Sequence, residues 1–72
     1  MNFQELEFAI FCIENVALRL GVPAKSVYLA FTDKSDILRQ YIMPCYPALH
    51  TQGKEYIVDE LLEVMRQRGV EV

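Results

Sequence analysis

The stretch that decides the fold runs from residue 2 to residue 21 and reads NFQELEFAIFCIENVALRLG. Asn2 is a good helix N-cap, and Glu5, three residues later, completes the pattern of a capping box. Gly21 suits the position just after a helix C-terminus. Between these signals, apolar residues recur at steps of three and four, which is helical spacing. This main stripe consists of Phe3, Leu6, Ile10, Ile13, Ala17 and Leu20. The sequence therefore predicts a helix from Phe3 to Leu20.

A second set of apolar residues on the same helix lies away from the main stripe on a wheel of about 100° per residue. The set consists of Phe8, Phe11 and Leu18. We expect the main stripe to build the internal core, so these three side chains need cover from another source. Each would forgo roughly 1.5–3 kcal/mol if left in water. We therefore predict that they lie at an interface with a second copy or a protein partner.

Three further segments follow, separated by proline, glycine and polar residues. The second begins at Val22-Pro23, because a proline suits a first helical turn. It continues to Phe31. The third begins at Ser35 as N-cap. The prolines at 44 and 47 disfavour helical geometry in the residues before them, so residues 43–50 are expected to form an irregular or short helical connection.

The fourth segment begins near residues 51–54 and ends at Gly69. Acidic and polar residues occupy one side, and the opposite side is apolar. The apolar side consists of Ile57, Val58, Leu61, Leu62, Val64 and Met65. The four segments together predict an all-α fold, a single compact three- to four-helix domain over residues 1–72 with an αα-corner near Gly21.

Composition restricts the classes of function. The formal net charge of −3 argues against a protein that binds nucleic-acid phosphates or anionic lipid through a basic surface. The longest apolar run, Phe8 to Ile13, is too short to span a bilayer. The two cysteines give no disulfide-rich pattern and no recognisable secretion signal opens the chain, so we expect a cytoplasmic protein with reduced thiols.

Few residues suggest chemistry. Cys45 and His50 resemble a nucleophile and base but lack any surrounding signature, and with Cys12 they lack the close pair typical of structural zinc. The run 52–54, Gln-Gly-Lys, is too short for a phosphate loop. We expect no catalytic residue, metal or cofactor, although a small enzyme or ligand carrier using Cys45, His50 and Lys54 stays a distant alternative.

Residues 16–27 match the order of apolar and small residues around a helix-turn-helix corner. The second helix would then enter a DNA groove, yet its outward candidates include one basic residue, Lys25. Groove readers need several long polar or basic side chains. A tight corner used for packing is the favoured interpretation, and a DNA-binding regulator is the alternative.

Three tyrosines, Tyr41, Tyr46 and Tyr56, surround Met43 to Cys45 in the sequence. Tyrosine buries a large area and keeps a polar tip, which suits protein contacts. These residues either belong to a contact surface or close the small core. We include them with His50, Phe8, Phe11 and Leu18 as candidate interface residues.

Three runs of the sequence resemble a family of short, gut-associated bacterial proteins classed only as a domain of unknown function. The runs are FAIFCIEN at 8–15, YIMPCY at 41–46 and LHTQGKEY at 49–56, which continues to Asp59; residues 50–56 are the most specific part. The resemblance implies that the gene for this chain lies beside a gene for a predicted ADP-ribosyltransferase-like protein. The resemblance implies an accessory or antitoxin-like partner of a toxin-like enzyme, and our leading hypothesis is a small helical protein-interaction module without catalytic activity.

Overall fold

Helices form every regular element of the chain, and no strand is present in the computed structural model, which describes residues 1–72. The elements are α1 (Phe3–Leu20), α2 (Ala24–Thr32), a π-helical segment (Leu38–Ile42), α3 (Tyr46–Leu49) and α4 (Lys54–Gln67). The all-α prediction is confirmed. No helix has the length and the apolar content needed to cross a membrane.

Both ends of α1 follow their local signals. The Asn2 side chain accepts a hydrogen bond from the Glu5 N–H at 2.7 Å, and the Glu5 carboxylate accepts one from the Asn2 N–H at 3.0 Å. Gly21 ends the helix with φ 68° and ψ 37°, a left-handed conformation that costs glycine little. Its N–H donates to the carbonyls of Ala17 and Leu18. The predicted helix and its capping box are confirmed.

The inner face of α1 packs against α2 and α4. It is formed by Phe8, Ala9, Cys12, Ile13, Val16 and Ala17. The other elements contribute fully buried side chains to the same core, among them Phe31, Ile37, Ile42 and Leu61. Sixteen buried residues form one apolar cluster around α1.

Our prediction of which face of α1 lies in the core is wrong in large part. Four members of the main stripe are exposed: Phe3 by 70%, Leu6 and Ile10 by 47% each, and Leu20 by 39%. The buried face is centred instead on the small residues Ala9, Cys12 and Val16. Helix axes approach each other more closely where the contact residues are small, and the centre of this buried face is suited to such an approach.

The premise that Phe8 and Phe11 lack cover within the chain is also wrong. Phe8 is buried, and Phe11 is half-buried against the core. Leu18 differs from both, because 78% of it is exposed. Internal packing therefore removes the argument by which the sequence placed these two phenylalanines at an interface.

The third predicted segment is not the α-helix that Ser35 suggested. The Ser35 hydroxyl donates to the Ala30 carbonyl at 2.6 Å and accepts from the Ile37 N–H at 3.3 Å. The helix that follows is π-helical, and the Met43 N–H reaches the Leu38 carbonyl at 3.0 Å. An α-helix would bring the Pro44 ring against the carbonyl four residues earlier, and a wider turn relieves that contact.

Residues 43–50 contain turns and the single short helix α3, as predicted. The last helix, α4, buries the apolar side expected of it, with Leu62 half-buried at its edge. It ends at Gln67, shortly before Gly69. Arg19 joins α1 to α4, since its guanidinium donates to Asp59 at 2.9 Å and Glu55 at 3.0 Å. These ion pairs link the C-terminal end of α1 to the first half of α4.

Candidate interaction surface

Three large apolar side chains form a line on the outer face of α1, and we call Phe3, Leu6 and Ile10 the outer stripe. They are spaced by three and four residues, so they lie on one side of the helix. Met1, 66% exposed, precedes them. Isolated apolar residues are normal on a protein surface, and a continuous line of large ones makes this face a candidate contact site.

An acidic border runs along one side of the outer stripe. Glu7 follows Phe3 by four residues and Glu14 follows Ile10 by four, so each carboxylate lies one turn further along the same side. Both residues are exposed, and neither takes part in an ion pair. Arg19, the only basic residue of α1, is held by the two carboxylates of α4. The local charge beside the outer stripe is therefore negative.

A groove between α1 and the start of α2 continues the outer stripe. It has a volume of about 430 Å³ and is lined by Glu14, Ala17, Leu18, Val22 and Ala24. Ala17 lies seven residues after Ile10, which places it on the same line of the helix. The groove adjoins the outer stripe beyond Ile10, and we call the two together the apolar track; Glu14 and the exposed Leu18 lie on the rim of the groove.

Four of the predicted interface residues form an aromatic row on the other side of α1. The ring centroids of Phe11 and Phe8 lie 6.2 Å apart, and Tyr46 meets Phe8 edge to face at 5.4 Å. The His50 ring stacks on Tyr46 at 4.4 Å, with the two planes only 11° apart. The row joins α1 to α3, and only its last ring, His50, is exposed. It holds the short helix in place.

Tyr41 lies apart from the row, and its hydroxyl donates to the Glu60 carboxylate of α4 at 3.5 Å. Partial burial raises the pKa of the Tyr41 phenol, and the negative charge of Glu60 raises it further. Tyr56 is exposed by 51%, and Leu18 lies in the groove at the opposite end of α1 from Phe8. The seven candidate interface residues therefore do not form one surface.

The chemistry-bearing residues are separated. No hydrogen bond joins Cys45 to His50, and the His50 ring stacks on the Tyr46 ring. Cys12 is buried, and burial raises the pKa of its thiol to about 12. The structure contains no group of three or more His, Cys, Asp or Glu side chains arranged to hold a metal ion. At the start of α4, Lys54 lines a groove with Arg19 and Glu55, and Arg19 is already paired with the Glu55 carboxylate.

From the sequence we expected the outer stripe to lie in the core, so we did not predict that it forms an exposed surface. The available signal was residue size: the opposite face carries Ala9, Cys12 and Val16, which permit a close helix crossing. Large residues at Phe3 and Ile10 would have kept the neighbouring helices further away. Apolar content alone gave no basis for choosing between the two faces.

Comparison with known proteins gave one match. A family model described as "Protein of unknown function (DUF3791)" matches residues 7–68. No curated protein and no solved structure matches the chain. The family match covers α1 from its second turn through the whole of α4.

Proposed function

Because the chain belongs to the DUF3791 family, whose description gives no activity, we propose a function from its surface: a non-catalytic module that binds a protein partner through the outer stripe of α1. The observation that carries this proposal is the exposure of Phe3, Leu6 and Ile10 in one line. Covering large apolar side chains gains roughly 1.5–3 kcal/mol each, which is a substantial driving force for association.

The position of the outer stripe supports the proposal. The core of the chain closes without these side chains, since α2 and α4 both pack on the inner face of α1. A partner can therefore cover the outer stripe without any rearrangement of the fold. Interfaces that form in this way change little in backbone on binding.

The partner that we propose first is an ADP-ribosyltransferase-like enzyme, for which the chain would act as an accessory or antitoxin-like protein in the cytoplasm. The proposal rests on the resemblance of residues 8–15, 41–46 and 49–56 to proteins with such neighbours. We place Leu18 in the same contact surface. The exposed rings of His50 and Tyr56 would form a second, smaller contact region, with Phe8 and Phe11 supporting it from within.

A helix-turn-helix regulator is the second candidate. The short turn between α1 and α2, formed by Gly21 to Pro23, is the observation that favours it. The exposed side of α2 carries Lys25 as its only basic residue, whereas phosphate contacts require several. Salt-dependent, sequence-specific binding to a DNA duplex would favour this second function over the first.

The test of the proposed function is co-expression of the tagged chain with an ADP-ribosyltransferase-like protein from the same genome. The Leu6→Glu/Ile10→Glu variant should lose the partner, because two charges would enter the apolar contact. The matched control is Tyr28→Glu/Leu29→Glu, which adds the same two charges at exposed apolar residues of α2 and should retain the partner. Circular dichroism checks that both variants stay folded. Equal retention of the partner by both variants would exclude the outer stripe as the binding site.

A further inference from the structure

The charges beside the outer stripe restrict what can cover it. The acidic border, Glu7 and Glu14, is exposed and lacks any cation from its own chain. Like charges brought together across an interface cost free energy, and opposite charges both steer encounter and select the partner. A partner that covers the outer stripe therefore meets two carboxylates along one side.

A second copy of the chain fits this arrangement poorly. In a two-fold dimer the same patch lies on both sides of the contact. Antiparallel packing of α1 on α1 through the outer stripe would bring the acidic border of one copy towards that of the other. Parallel packing would place each border beside the opposite flank of the other copy's stripe, where α1 offers no unpaired basic side chain. The one basic residue of α1, Arg19, already pairs with Glu55 and Asp59 and cannot compensate.

The shape of the apolar track indicates a helical partner. From Phe3 to Ala17 the track follows α1 for fourteen residues, which at 1.5 Å per residue is about 21 Å. Amphipathic helices dock in such tracks through residues spaced by three, four and seven. The groove of about 430 Å³ beyond Ile10 offers room for one large apolar side chain at the end of that contact.

We propose that the outer stripe and the groove bind an amphipathic helix whose apolar seam is bordered by lysine or arginine. This inference rests on the proposed function and adds the chemical class of the partner. The basic side chains pair with Glu7 and Glu14, and the seam covers Phe3, Leu6 and Ile10. The partner's basic residues lie along one side of its seam, because the acidic border lies along one side of the track.

Two labelled synthetic peptides of about fifteen residues test the inference. Both carry the same leucine seam; one has lysine beside the seam and the other has glutamate. Fluorescence anisotropy should show the lysine peptide binding about tenfold more tightly. The difference should shrink as salt is added, since the charges are exposed. The Leu6→Ser/Ile10→Ser variant should bind neither peptide.

A charge-reversed variant supplies the specific control. Glu7→Lys/Glu14→Lys should prefer the glutamate peptide. Asp33→Lys/Glu71→Lys changes the net charge by the same amount at two exposed sites outside α1 and should keep the preference for lysine. If both double variants shift alike, the preference arises from net charge and the inference is wrong.

The remaining outcomes separate this inference from the proposed function. Equal binding of both peptides through the outer stripe would overturn the basic partner and leave the interaction surface standing. A wild-type dimer that dissociates on Ile10→Glu substitution would identify a second copy as the occupant. That result would also overturn the basic partner and leave the interaction surface standing. Failure of the wild type to bind either peptide or itself would overturn both proposals.

Discussion

Both faces of α1 carry apolar side chains, but only the inner face is buried. The inner face is built around Ala9, Cys12 and Val16 and is buried, while the outer stripe carries larger side chains and is exposed. Hydrophobicity predicts that both faces avoid water, but it does not rank them. The comparison teaches that in a chain of 72 residues the face that permits close helix packing becomes the core.

The largest expected effect comes from placing one charge on each face in turn. Val16→Asp puts a carboxylate where the side chain is fully buried, so the variant should fail to fold. Ile10→Asp on the outer stripe should leave the chain folded. Circular dichroism compares the two, and similar losses of helix in both variants would remove the distinction between the faces.

The buried thiol of the inner face predicts a pH dependence. The pKa of Cys12 is raised from its usual 9.0 to about 12, so the folded chain holds this proton more tightly than the unfolded chain. Its stabilising contribution is complete below pH 9 and is lost as the pH rises towards 12. Stability measured by denaturant should fall over that range less steeply in Cys12→Ala. Val16→Ala is the control: it truncates another buried side chain of the inner face, removes no ionisable group and should keep the wild-type slope.

The first turns of α1 depend on their cap, because burial on this helix begins only at Phe8. Asn2→Ala removes the side-chain half of the capping box and should cost about 1 kcal/mol. Urea unfolding gives the total, and amide exchange should rise at residues 3–6 more than at residues 12–17. A uniform rise along α1 would mean that the core holds both halves equally.

The aromatic row predicts a smaller coupling. Phe8→Leu and Tyr46→Leu should each destabilise the chain, and the double variant should lose about 0.5–1.5 kcal/mol less than their sum, because their edge-to-face contact is lost only once. A double-mutant cycle in urea measures this. Strict additivity would show that the two rings contribute by burial alone.

Local signals predicted the helices well, because caps and apolar spacing act within one element. The capping box at Asn2, the left-handed Gly21 and the apolar side of α4 all follow from neighbouring residues. The π-helical segment escaped prediction, since residues 35–42 also suit an α-helix and the conflict arises with Pro44. The aromatic row joins Phe8 to Tyr46 across the fold, which the order of residues does not reveal.

The surface was harder to predict than the fold. Its existence followed from an apolar excess that one small core cannot absorb, but its residues depended on which side of α1 the neighbours approach. That choice is a tertiary property. The sequence placed Leu18 at an interface and the structure leaves it exposed, because it belongs to neither the inner face nor the main stripe.

We propose that the outer stripe binds a protein partner and that the fold is stable without these three side chains. The most direct measurement is thermal unfolding of the Phe3→Ser/Leu6→Ser/Ile10→Ser variant, followed by circular dichroism at low protein concentration. The account predicts a cooperative transition and a loss of no more than about 1.5 kcal/mol, as expected for three surface substitutions. A variant that is unfolded, or that melts without cooperativity, would show that these side chains belong to the core and would contradict the account.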